Sequence, residues 1–87
     1  MKLEISNIQK MASLSAAKSQ IATELFRLLA INGIDPDDID ISNPFENSIL
    51  ASLKDDEKNP SKSIEVSRIE ELCNAYAMLQ GKIDSLS

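Results

Sequence analysis

The sequence predicts an all-α fold: a small three-helix domain in which two long antiparallel helices, at about 6–32 and 62–86, carry a short amphipathic helix at about 44–57. Two observations lead there. From Ile69, the apolar residues Leu72, Tyr76, Leu79, Ile83 and Leu86 follow in unbroken three- and four-residue steps, which aligns six side chains in one stripe of a helix. A second run, Leu14, Ala17, Ile21, Leu25, Leu28 and Leu29, holds helical spacing over a comparable length. Each stripe is stable only when covered, and each is the nearest cover for the other.

Taken in order, residues 1–5 read as a flexible N-terminal arm. Ser6-Asn7-Ile8-Gln9 is a capping box, in which the Ser6 hydroxyl accepts from the third helical amide and Gln9 reaches back to the cap. Ile8 drifts off the apolar face, and Ser13-Leu14-Ser15 is weak helix sequence because serines compete for backbone groups. The helix is therefore expected to hold best from about Ser13. Lys18, Glu24 and Arg27 fall toward the edges of its apolar face or beyond.

Asn32-Gly33-Ile34 ends the first helix, with Gly33 free to turn left-handed and Ile34 placed to pack back on Leu29 in a Schellman arrangement. Pro36 confirms the stop. Residues 33–43 form an acidic connector whose Ile34, Ile39 and Ile41 are too apolar for a solvated loop, so it should lie against the helices. Asn43-Pro44-Phe45-Glu46 then supplies a cap, a proline at the first helical position and an early acid, which marks the start of the short helix. Phe45, Ile49, Leu50 and Leu53 make its apolar face. The last helix opens near Ser61 or Ser63, after Asn59-Pro60.

Composition bounds the function. Eighty-seven residues, 43% hydrophobic and 26% charged, make one domain near the lower size at which a single core suffices, so self-association is expected. Residues 1–34 carry a net +2, residues 35–60 a net −6 and the rest −1. No basic stripe is present to displace counterions from a phosphate backbone, so direct nucleic-acid binding is not expected. The single cysteine, Cys73, excludes an intrachain disulfide and suits a reducing, cytoplasmic setting. Neither an export signal nor a membrane span is read in the chain.

The chemistry-bearing residues do not converge. Asp35, Asp37 and Glu46 match positions one, three and twelve of a calcium loop, but Ile39 and Asp40 stand where that loop needs an oxygen ligand and a glycine. No histidine is present to activate Cys73 or to complete a zinc site. Cys73 is expected as a buried thiol. Adjacent Glu70 and Glu71 diverge on a helix, whereas Glu65 and Arg68 are spaced for a surface ion pair. No catalytic group, cofactor or metal is expected.

The expected function is thus a non-enzymatic protein–protein interaction module, an adaptor, subunit or regulator that associates with itself as a homodimer. Met78, placed among Glu70, Glu71 and Asn74 on the polar face, is an interface candidate, with Ala77, Ile83 and Leu86 beside it. Gly81, on the same face, is either a point of fraying or of close approach by another chain. The alternative is an acidic regulator whose residues 35–57, Asp37, Asp38 and Asp40 foremost, occupy a basic site on a target protein.

Overall fold

The structure is a computed structural model that describes residues 6–55 and 60–86. The expected N-terminal arm at 1–5 and the last expected residues of the short helix, 56 and 57, lie outside the described residues. Among the described residues the fold has three α-helices: α1 (Asn7–Ile31), α2 (Ser48–Lys54) and α3 (Pro60–Leu86). Among the described residues there is no strand.

The first helix begins where its capping box lies. Ser6 Oγ accepts from the Gln9 N–H at 3.2 Å and Gln9 Oε1 accepts from the Ser6 N–H at 3.2 Å, so two otherwise unpaired amides are satisfied together. The box carries α1 through the serine-rich turns expected to fray, and Ile8 is left 81% exposed. At the other end the Schellman motif is complete. Gly33 takes φ 74°, its N–H donates to Ala30 and the Ile34 N–H donates to Leu29. Ile34 is buried in the same core as Leu29.

The short helix differs from expectation at its start. Pro44–Glu46 forms a separate 3-10 turn, and Asn43 makes no side-chain cap there. The cap of α2 is Asn47, whose side chain accepts from the amides of Ile49 and Leu50 at 3.0 and 3.1 Å. Two amides gained at Asn47 outweigh the fixed φ of Pro44, which serves a 3-10 turn equally well. The later start also turns Ile49 outward, 46% exposed, while Leu50 is fully buried. Pro60 opens α3 at its first described residue, where its missing N–H costs nothing.

α1 and α3 pack antiparallel. Asn32 at the end of α1 meets Lys62 and Glu65 at the start of α3, Glu24 meets Arg68, and Lys18 meets Gln80. The fully buried residues gather at the end nearest Asn32: Leu25, Leu29, Leu50, Ile69 and Cys73. Leu28, Ile34, Val66 and Leu72 complete this core, with Ile39, Ile41, Phe45 and Leu53 packed against it. As expected, the connector's isoleucines lie on the bundle.

Toward the other end coverage thins. Of the six residues in the α3 stripe, Ile69 and Leu72 are buried, while Tyr76, Leu79, Ile83 and Leu86 are only half-buried. The shape agrees, since a radius of gyration of 15.4 Å exceeds the roughly 12 Å of a compact chain of this length.

Candidate functional site

Two grooves flank the thinly covered half of the hairpin. One, of about 390 Å³, is lined by Lys10, Ser13 and Leu14 of α1 and by Lys82, Ser85 and Leu86 of α3. The other, of about 300 Å³, lies where the connector's Ile41 and Ser42 run beside Tyr76, Ala77, Gln80, Gly81 and Asp84. They occupy different flanks of α3, because Ala77, Gln80, Gly81 and Asp84 recur at three- and four-residue steps along one edge and Lys82, Ser85 and Leu86 along another.

The residues proposed from sequence are therefore divided. Ala77 borders the connector groove, and Leu86 the groove at the hairpin's open end. Met78 is 56% exposed and Ile83 half-buried. Asp37, Asp38 and Asp40 stand exposed on the connector, apart from both edges. Asp40 is committed locally, its Oδ1 accepting from the Ser42 N–H at 2.9 Å, as Asp35 accepts from Asp37. Such Asx turns shape the connector and use the oxygens a calcium loop would need. Among the described residues no group of three or more His, Cys, Asp or Glu side chains is placed to hold a metal ion.

Polar clasps tie α1 to α3 at three levels. At the closed end, Asn32 Nδ2 donates to Glu65 at 3.0 Å while Lys62 Nζ donates to Asn32 Oδ1 at 2.8 Å and to Glu65 at 3.3 Å. These hydrogen bonds, Asn32's first and Lys62's second, hold the Glu65 carboxyl below its ordinary pKa. One level on, Arg68 grips Glu24 with two bonds of 2.9 and 3.0 Å and reaches Glu71 at 3.2 Å. The Arg68 hydrogen bonds likewise lower Glu24. The expected Glu65–Arg68 pair is not formed, because Glu65 is turned to Asn32 and Lys62 and a planar guanidinium fits the two Glu24 oxygens better.

The third clasp differs from the sequence expectation, which set Lys18 toward the edge of the apolar face or beyond. Lys18 sits half-buried inside the α1–α3 contact rather than at its edge, donates to Gln80 Oε1 at 2.6 Å and lies 5.3 Å from the centre of the Tyr76 ring. Gln80 in turn donates to Asp84 at 2.9 Å. Lysine's long apolar stem lets it occupy a core-facing position while its ammonium stays solvated. The signal was present in its spacing, since Lys18 lies four residues from Leu14 and seven from Leu25.

Cys73 is fully buried, as expected, and burial first, the charge of Glu70 second, pushes its thiol up to about 11. At neutral pH it is a packing group and a poor nucleophile. Among the described residues no helix is long and apolar enough to cross a membrane. No protein family, curated protein or solved structure matches the chain.

Proposed function

We propose that this protein is a non-enzymatic interaction module of the cytoplasm, which binds another polypeptide, a second copy of itself included, through the thinly covered half of its helical hairpin. The observation that carries the proposal is the split stripe on α3: Ile69 and Leu72 are buried, but Tyr76, Leu79, Ile83 and Leu86 stay partly exposed. Apolar surface continuous with a core and left open on a rigid helix pair is the usual material of a helix-binding face.

The test joins the mass of the purified chain, by light scattering over a rising concentration series, with crosslinking of the tagged chain in its host cells. Association of either kind, lost on Leu79→Asp with helicity retained, supports the proposal. A monomer at high micromolar concentration that crosslinks to nothing refutes it.

A second reading gives the acidic connector a target of its own. It draws on Asp37 and Asp38, whose carboxylates are exposed and enter no ion pair among the described residues. Asp37→Asn with Asp38→Asn and Asp40→Asn should abolish target binding under that reading and leave it intact under the first.

A further inference from the structure

We propose that the groove at the hairpin's open end is the docking site for an acidic amphipathic helix of another polypeptide, whose apolar edge lies between Leu14 and Leu86 and whose carboxylates meet Lys10 and Lys82. The inference rests on the interaction-module reading and supplies the chemistry of its partner. Of the five lysines among the described residues, Lys18 contacts Gln80 and Tyr76, Lys54 the Phe45 ring, and Lys62 Asn32 and Glu65. Lys10 and Lys82 are exposed and enter no ion pair or ring contact among the described residues. These two are the lysines that border the groove, and its other described lining residues, Ser13, Leu14, Ser85 and Leu86, include no acid. An apolar trough rimmed by two uncompensated ammonium groups is complementary to an apolar ligand that carries carboxylates.

The register of the hairpin sets the spacing of those charges. With Lys18 opposite Gln80, the antiparallel pairing puts Lys82 level with Ala16, six residues short of Lys10. At roughly 1.5 Å per residue, the two backbone positions lie about 9 Å apart along the hairpin, on opposite walls. A helix laid obliquely along the trough places carboxylates at i and i+7 about 10 Å apart, with i+3 or i+4 between them for an apolar anchor.

The walls suit a helix as well. Ser13 and Ser85 are small enough for a backbone to come near, while Leu14 and Leu86 are partly exposed and offer the apolar contact. The connector runs along the other flank of α3, so this flank has room for one more helix, which would extend the bundle. The connector's own exposed acids, Asp37 and Asp38, lie on a 3-10 turn of three residues and do not present carboxylates in that spacing.

Paired peptides test the groove. The probes are a leucine-striped helical peptide with Glu at i and i+7 around its anchor and a twin with Lys at those positions, titrated into the full chain by fluorescence anisotropy. The Glu peptide should bind about tenfold or more tightly, because two exposed ion pairs become two repulsive pairs in the twin. The net charge of −5 favours the opposite order, so non-specific attraction does not imitate this result. Lys10→Glu with Lys82→Glu should reverse the preference, whereas Arg27→Glu, exposed and outside the groove lining, should retain it. Circular dichroism confirms that each variant keeps its helices. Equal binding of both peptides, lost on Leu79→Asp, would overturn the charge recognition and leave the interaction-module reading standing. A preference for the Lys peptide, or a Glu preference that survives the lysine exchange, would overturn the assignment to this groove. If neither peptide binds but the tagged chain crosslinks in its host cells to another polypeptide or to a second copy, the acidic helix fails and the module reading survives. With no peptide bound and no crosslink formed, both fail.

Discussion

Lys18 Nζ and Gln80 Oε1 meet at 2.6 Å across the two long helices, with the Tyr76 ring beneath the lysine. This polar bond marks the boundary between the sealed and the open half of the α1–α3 contact. Lys18→Ala removes the hydrogen bond, the ring contact and the covering stem, and should cost about 1–2 kcal/mol in urea unfolding. Lys18→Met, which keeps the stem, should cost less than about 1 kcal/mol. Equal losses from the two variants would mean that the charge, not the packing, is what the seam needs.

The two interhelical carboxylates, Glu24 and Glu65, should contribute to the loss of stability in acid. Arg68 holds Glu24, and Asn32 with Lys62 holds Glu65, below the ordinary value of 4.5. In the unfolded chain these groups return to that value, so below it the unfolded state binds more protons than the folded one. Their contribution is thus present above about pH 4.5 and lost as the pH falls through the lowered folded values. The urea midpoint should be level from pH 7 to about 5.5 and fall in more acid solution. Glu24→Gln should flatten part of that fall, and an unchanged acid limb would refute the assignment.

Cys73 should make a corresponding contribution in base. With the folded thiol pushed from 9.0 up to about 11, its contribution holds below pH 9 and declines as pH rises toward 11. Alkylation at pH 8 should be slow in the native chain and fast in urea. Cys73→Ser buries a hydroxyl in an apolar core and should lower stability by about 1–3 kcal/mol. Native alkylation at the unfolded rate would show that the thiol is reachable from solvent.

The two glycines should respond oppositely to alanine. Gly33 needs its left-handed φ of 74°, so Gly33→Ala should cost about 1 kcal/mol or more. Gly81 is helical and an added Cβ there meets nothing within 4 Å, so Gly81→Ala should gain about 0.5–1 kcal/mol. Thermal unfolding of both variants checks the pair. A destabilising Gly81→Ala would reveal a close neighbour at that edge.

Legibility followed locality. The capping box at Ser6 and the Schellman turn at Gly33 lie within a few residues and are written in them. Both stripes were legible too, because periodicity alone defines them. Competition between neighbouring caps was not: Asn43 with Pro44 and Asn47 are both good starts, and the choice of Asn47 depends on burying Leu50 against α3. Partner choice at longer range was also hidden. Arg68 could reach Glu65, Glu71 or Glu24, and only the register of the hairpin selects Glu24 and Glu71. The candidate face was half visible, since exposure of Met78 follows from its phase, whereas the division between Ala77 and Leu86 depends on where the connector runs.

Because the fully buried side chains cluster near Asn32, the free energy joining α1 to α3 is unevenly distributed along them. Leu25 and Ile69 belong to the fully buried core, whereas Leu14 and Leu86 are already partly exposed. The last turns of α3 can therefore come away from α1 in a partial opening well below the global unfolding free energy. Local amide exchange should rise from Cys73 toward Leu86, and whatever covers those turns will slow that exchange first. The hairpin is hinged by its own core, and its looser arm is the one within reach of another molecule.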